Sequence, residues 1–353
     1  MLLDASHNNL RNLPNEIGRW VRLKHLDVSN NVLLKLPGDI GKLVNIVDLN
    51  ISFNKISELP LEITNLTALV TFDLRDNPSL QNLPPLVNFR HLQTISLRNL
   101  QIPAVPTDLG RIVTLTELDL RDNPQIKELP RDIGNLKALK KLDCYGNKMR
   151  TLPPEIGQLT NLSVLDLRNN SLTPDTIPRE IGQLVNMRKL LLSSNQLTSL
   201  PPEIKYLVNM VDLDVSNNTL ANLPDDIGNL LTLSRLNISG NKLTTLPHSI
   251  GRLGQLTVLD AKSNEISELP AEIGRLGSCT KLDFSHNMLT ELPWELASLE
   301  KKLSILEVGH NPLVIPPTGV VNKGTESILD WLKKNEKEGR KGKAVGLTGR
   351  KGE

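Results

Sequence analysis

Between Leu23 and Asn45 the chain reads LKHLDVSNNVLLKLPGDIGKLVN, and the spacing of its apolar residues changes midway. Leu26 and Val28 alternate with Asp27 and Ser29, a period of two that sends apolar and polar side chains to opposite faces of an extended segment. Asn31 follows. Its amide both donates and accepts, which suits a turn whose backbone groups would otherwise be buried without partners. Pro37 pushes the residue before it into extended geometry and closes the loop. Beyond it, Leu36, Ile40 and Leu43 are spaced by four and then three, which predicts a short helical turn on the same apolar side.

This frame, L-x-x-L-x-L-x-x-N-x-L-x-x-L-P-x-x-I-x-x-L-x-x, returns along almost the whole chain. Its asparagines are Asn8, Asn31, Asn54, Asn77, Asn123, Asn147, Asn170, Asn195, Asn218, Asn241, Asn264, Asn287 and Asn311. A proline series from Pro14 through Pro37 and Pro60 to Pro316 marks the same phase independently, so two markers agree over fourteen copies. Most copies hold 23 residues; those starting at Leu115 and Cys279 hold 24, and the one at Leu162 holds 25. One copy places Leu100 where the others have Asn, and a locally weaker turn is expected there. A single copy cannot bury its own apolar side, but stacked copies can. The expected fold is therefore α/β: a leucine-rich-repeat solenoid (horseshoe) with a parallel sheet on the concave side and short helical turns on the convex side. Strands about 4.8 Å apart give an arc of roughly 65 Å.

The frame occupies residues 1–317. Residues 318–338 leave it, and Ile328, Trp331 and Leu332 share one helical face behind a Thr325 cap, as expected of a segment covering the last copy. Residues 339–353, GRKGKAVGLTGRKGE, are expected to be a disordered basic tail. Met1 falls within the first strand, with Leu3 aligned to Leu26. An edge without a lead-in implies either cover from a partner or a chain that is the later part of a longer product. At 353 residues the chain exceeds what one compact core usually holds, in keeping with an elongated array. A net charge of +2 excludes a strongly basic or acidic protein. The start MLLDASHNNL has no secretory pattern and no apolar run approaches about 18 residues, so a cytoplasmic location is expected.

The 23-residue LPxxIGxL type without cysteine-bounded caps resembles the intracellular Ras-group leucine-rich-repeat proteins. These include Ras-pathway scaffolds, the repeat region of fungal adenylyl cyclase, the plant intracellular Ras-group family and the Roco proteins. The segment NKGTESILDWL, Asn322 to Leu332, is similar to the cap that follows the repeats in several of them. The resemblance implies a scaffold or regulatory module that contacts a small GTPase or a phosphatase. It does not extend to a phosphate loop, because the tail glycines do not fit G-x-x-x-x-G-K-[ST].

Candidate chemistry is sparse. His286 and His310 occupy one frame position in successive copies, but no third ligand is placed to complete a metal site. Cys144 and Cys279 fall on apolar positions and read as core thiols. No catalytic residue, metal or cofactor is expected, and the chain is not read as an enzyme.

The outward residues differ along the chain. FDLRDNP, Phe72 to Pro78, returns as LDLRDNP, Leu118 to Pro124. The first outward row is mostly Asp or Asn. The second has Ser in seven of fourteen copies, and its middle copies carry Arg75, Arg98, Arg121, Tyr145 and Arg168. Together with Asp73, Asp119, Asp143 and Asp166 these form the candidate partner-binding patch, since Arg and Tyr dominate interface hot spots. Like charges stacked on adjacent strands are unfavourable, and Asp76 and Asp122 are expected to relieve them. The expected partner is a protein, with a small GTPase or a phosphatase or kinase regulator as candidates. No small-molecule substrate is expected. Nucleic acid is disfavoured and membrane contact is at most peripheral, because the tail bases Arg340, Lys341, Lys343, Arg350 and Lys351 have no interleaved aromatic. The alternative is a recognition fragment of a larger multidomain protein, such as a Roco-type GTPase.

Overall fold

The structure, a computed structural model, describes residues 1–348. The chain forms two compact units that divide between Gln196 and Leu197. The first holds nine three-residue strands: β1 Leu2–Asp4, β2 His25–Asp27, β3 Asp48–Asn50, β4 Thr71–Asp73, β5 Thr94–Ser96, β6 Glu117–Asp119, β7 Lys141–Asp143, β8 Val164–Asp166 and β9 Lys189–Leu191. All pair parallel with their sequence neighbours, in the register of the frame: Leu26 stands beside Leu49, and Leu118 beside Leu142. The second unit repeats the arrangement with β10 Asp212–Asp214, β11 Arg235–Asn237, β12 Val258–Asp260, β13 Lys281–Asp283 and β14 Ile305–Glu307.

The return segments are single turns of 3-10 helix, such as Gly38–Lys42 and Arg131–Asn135, each entered from an extended proline. Glycine in the IG pair serves close stacking: a Cβ on Gly41 would lie 2.3 Å from the Glu62 carbonyl oxygen of the next copy. Leucine and isoleucine fill the interior, and Phe72 meets Phe89 edge-on at 5.9 Å. Phe89 lies in LPPLVNF, the connection between β4 and β5 that forms turns in place of a 3-10 helix.

The asparagine ladder does what its chemistry implies. Asn54 Nδ2 donates to the carbonyls of Val28, Ile51 and Ser52, and its Oδ1 accepts the Leu33 N–H. Each such side chain thus ties its own turn to the preceding copy. The residue before it is left-handed in every copy, from His7 through Phe53 and Gly146 to His310. Where Leu100 replaces Asn, its side chain is fully buried and its N–H donates to Asn123 Oδ1. Asn123 donates to the Leu97 carbonyl, the same bond to the preceding copy that Asn54 makes to Val28. Asn99 and Gln101 are both left-handed around Leu100, which marks a rebuilt turn.

Beyond β14, α1 (Thr318–Val321) leads into α2 (Thr325–Thr348). Ile328, Leu329 and Leu332 are buried, and Trp331 stacks on Trp294 at 5.7 Å. The Thr325 hydroxyl accepts the Leu306 N–H at 2.9 Å, giving a donor of the last strand its partner. The expected Thr325 helix cap is therefore used to close the sheet. α2 continues to Thr348, across residue 339, where the tail was expected to begin. Residues 349–353 of that tail lie outside the described residues.

Candidate protein-binding face

The outward acidic row has a local duty first. Asp27, Asp73, Asp119, Asp143 and Asp166 each use Oδ1 to accept the N–H of the residue two positions on, at 2.8–3.2 Å. Asn50 and Asn237 do the same for Ser52 and Ser239. Satisfying that donor as the strand ends is what the position demands, and the signal was legible: Asn substitutes for Asp, which a role in charge would not permit.

The second row then bonds back to the first. At Ser6, Ser52, Ser216, Ser239 and Ser285 the hydroxyl donates to the same carboxylate or amide, as Ser216 does to Asp214 at 2.7 Å. Where the row carries Arg, a guanidinium takes over. Arg121 donates to both oxygens of Asp119 at 2.9 and 2.8 Å and approaches Asp143 at 3.4 Å. Arg168 grips Asp166 with Nε and Nη2. Arg75 Nε lies 3.3 Å from Asp73 Oδ2 without a linear hydrogen bond. β5 offers Ser96 and no carboxylate, so Arg98 reaches Asp122 at 3.0 Å. The expected relief of the Arg stack thus comes mainly from each rung's own Asp. Asp122 contributes as anticipated, whereas Asp76 accepts from Asn99. The arginines keep roughly a third or more of their side chains exposed. Two also cover rings, Arg75 over Phe53 at 5.4 Å and Arg168 over Tyr145 at 5.5 Å.

These carboxylates are not equivalent. Burial pushes Asp73 above the usual range despite Arg75. Burial, with the neighbouring charge of Asp166, does the same to Asp143. Burial also acts on Asp119, but the Arg121 hydrogen bonds and charge and the Ser96 hydroxyl outweigh it and hold that group low. Asp119 reciprocally raises Arg121.

The sequence pattern missed a third outward row, the first residue of each strand. On β4 to β8 it reads Thr71, Thr94, Glu117, Lys141 and Val164, all at least partly exposed. Because a three-residue strand has two outward positions, alternation from Asp73 points to Thr71. Thr94, Ser96, Glu117 and Lys141 join the predicted Asp73, Arg75, Asp119, Arg121 and Asp143 around one hollow.

Elsewhere the side chains offer little reactive chemistry. Burial raises the Cys144 thiol strongly and pushes Cys279 up to about 11, far from a thiolate nucleophile. His286 and His310 stack face to face at 4.1 Å. Among the described residues no group of three or more His, Cys, Asp or Glu is placed to hold a metal ion.

Comparison with known families agrees with this architecture. A model described as a leucine-rich repeat region matches residues 77–179 and 161–264, together more than half of the chain. The chain belongs to the leucine-rich-repeat family. A second model, leucine rich repeat, matches residues 22–43. A leucine-rich-repeat protein of Leptospira interrogans superposes with a TM-score of 0.84 at 36% identity, over 90% of this chain and 80% of that one. The ectodomain of the Arabidopsis thaliana receptor kinase GASSHO1/SCHENGEN3, solved in complex with CASPARIAN STRIP INTEGRITY FACTOR 2, is similar at 28% identity and a TM-score of 0.60, over 86% of this chain and 43% of that one. The leucine-rich repeat protein lrrA of Dictyostelium discoideum is 76% identical over 33 residues, a match spanning 9% of this chain and 6% of that protein.

Proposed function

We propose that this leucine-rich-repeat chain is a non-enzymatic protein-interaction scaffold whose binding surface is the sheet face of β4 to β8. One observation carries the reading. Ser suffices at the second outward position in seven of the fourteen copies, yet β4, β5, β6 and β8 carry Arg there and β7 carries Tyr. Ser satisfies the same acceptor in other copies, as Ser216 does for Asp214 and Ser285 for Asp283, so the carboxylates do not require Arg for the fold. As binding residues the arginines fit well. Their Asp partners already order the guanidinium groups, which lowers the entropy lost on association. Arg and Tyr are also the side chains that anchor interfaces. We place the scaffold in the cytoplasm with a Ras-type small GTPase, or a phosphatase or kinase regulator, as partner; the resemblance to the Ras-group repeats motivates that setting.

The test is affinity capture with the native chain and with Arg75→Ser/Arg98→Ser/Arg121→Ser, which installs the default residue of the row. Purified Ras-type GTPase, loaded with GDP or a GTP analogue, is assayed directly beside it. Loss of the captured partner in the variant supports the face; identical partners for both chains refute it. Failure of the GTPase in either nucleotide state refutes the pathway but not the scaffold. The alternative, a recognition region of a larger multidomain protein, draws on the 43% coverage of the receptor ectodomain. A coding extension carrying a phosphate loop would favour it.

A further inference from the structure

The left-handed position before each ladder residue has a narrow task. Its backbone holds a positive φ and bonds to the neighbouring copies through main-chain atoms. Phe53 shows both bonds: its N–H donates to the Arg75 carbonyl at 2.9 Å, and its carbonyl accepts the Asn31 N–H at 3.2 Å. Thirteen of the fourteen copies fill the position with Asn, Asp, His, Ser or Gly. The copy of β3 alone puts a large apolar ring there, Phe53 at a φ of 52°. A bulky side chain is an outlier in that region. Such strain persists only where the surroundings impose it, and it clusters at functional sites.

The ring gains little from the fold in return. Phe53 is 43% exposed, whereas Phe72, Phe89 and Phe284 are fully buried in the core. Over it lies the Arg75 guanidinium, 5.4 Å from the ring centroid, on a side chain that is itself 38% exposed. Arg75 is less tied to its own rung than its neighbours are. Arg121 and Arg168 each donate from two nitrogens, to Asp119 and Asp166, while Arg75 Nε lies 3.3 Å from Asp73 without a hydrogen bond. At the far end of the strip Arg168 covers Tyr145 at 5.5 Å, the same pairing on an ordinary backbone.

We infer that Phe53 and Arg75 together anchor an aromatic side chain of the protein partner. The inference rests on the reading of this face as the partner surface and extends it to the rim beyond β3. Charge decides between occupants. Asp73 faces Arg75 and Asp76 follows it in the chain, so an incoming carboxylate would meet two like charges against one cation. An aromatic ring carries no net charge to be repelled. Its negative face suits the guanidinium plane, and it can stack offset on the Phe53 ring or meet it edge-on. Aromatic residues and Arg are also the types enriched where proteins meet.

The column itself supplies the variant. Asn30, Asn99, Asn169 and Asn217 occupy the position elsewhere, so Phe53→Asn keeps both main-chain bonds and relieves the strain. Its urea midpoint should equal or exceed that of the native chain. A lower midpoint would show that the ring serves the fold, which refutes the inference. The binding probe is p-cresol, with cyclohexanol as the aliphatic control, followed by NMR at the Phe53 ring and the Arg75 Nε–H. Saturable binding is expected, at least about threefold weaker for cyclohexanol. The response should vanish at Arg75 Nε–H in Phe53→Asn and at the Phe53 ring in Arg75→Ser. Equal affinity for the two probes, or a response that survives either variant, would overturn the inference. The two readings fail separately. If Arg75→Ser/Arg98→Ser/Arg121→Ser loses the captured partner while Phe53→Asn binds it as the native chain does, the scaffold face stands and the anchor falls. If p-cresol binds as expected but the arginine variant keeps every partner, the aromatic seat stands and the scaffold face falls.

Discussion

The outward rows of β4 to β8 and of β10 to β13 share an Asp or Asn scaffold, broken at Ser96, and differ in what sits two residues later, where β10 to β13 carry Ser except at Lys262. In the second unit Ser216, Ser239 and Ser285 return their hydroxyls to Asp214, Asn237 and Asp283 at 2.6–2.7 Å. In the first unit Arg121 and Arg168 occupy the same place and bond the same acceptors. The backbone task is done in both, so the difference lies in what each strip presents to solvent. The serine strip shows the sheet itself. The arginine strip shows ordered cations, two aromatic rings and a hollow.

The largest expected effect tests what the strips share. Asn123 is fully buried and serves three carbonyls and the Leu100 N–H. Asn123→Ala should lower stability by about 3 kcal/mol, since buried polar groups lose their partners. Asn241→Ala in the second unit should cost about the same, both read from urea midpoints. A large effect in one unit only would break the premise that the ladders are equivalent. Next comes stacking within the second unit. Gly228→Ala would place Cβ 2.3 Å from the Ser249 carbonyl, whereas a Cβ on Gly254 meets nothing within 4 Å. The first should cost about 1–3 kcal/mol by overpacking and the second little, on the same assay.

Smaller effects sharpen the electrostatic side. Asp119 is held below its ordinary 3.8, so its contribution to stability is present above that pH and fades as pH falls through the folded value. Asp73 is raised, so its charge opposes folding at neutral pH, and the penalty disappears as pH falls through its folded value toward 3.8. Asp119→Asn should therefore destabilise at pH 7 and Asp73→Asn should slightly stabilise. In acid-unfolding curves the Asp73 difference should be gone once the pH is below the ordinary 3.8, whereas the Asp119 difference should persist to lower pH, until the pH falls through its lowered folded value.

Much of this was legible in the residues. The frame fixed the strands, the 3-10 returns, the buried core and the ladder, because periodic burial leaves a periodic sequence. Arg75, Arg121 and Arg168 stand where alternation put them. What escaped was contextual. Nothing local says that Arg98 crosses to Asp122, since that follows from the missing carboxylate at Ser96. At the Leu100 turn the backbone N–H donates to Asn123 of the next copy, a partner that the spacing alone does not name. Thr325 was read as a helix cap, but its oxygen is within reach of Leu306, a contact set by packing and not by spacing. The left-handed residue before each Asn was readable in principle: Asn, Asp, His, Gly and Ser dominate that column, and these types tolerate positive φ. Phe53 is the exception, and it is the residue that Arg75 covers.

The contrast between the strips reduces to whether the arginines serve the fold or a partner. Urea unfolding of Arg75→Ser/Arg98→Ser/Arg121→Ser against the native chain answers this most directly. If the arginines serve a partner, the variant keeps its midpoint to within about 1 kcal/mol, because a serine at position 75 or 121 re-forms the bond that Ser216 and Ser285 make and position 98 loses only its pair with Asp122. A loss of several kcal/mol would show the arginine row to be structural and would remove the basis for a binding face on β4 to β8.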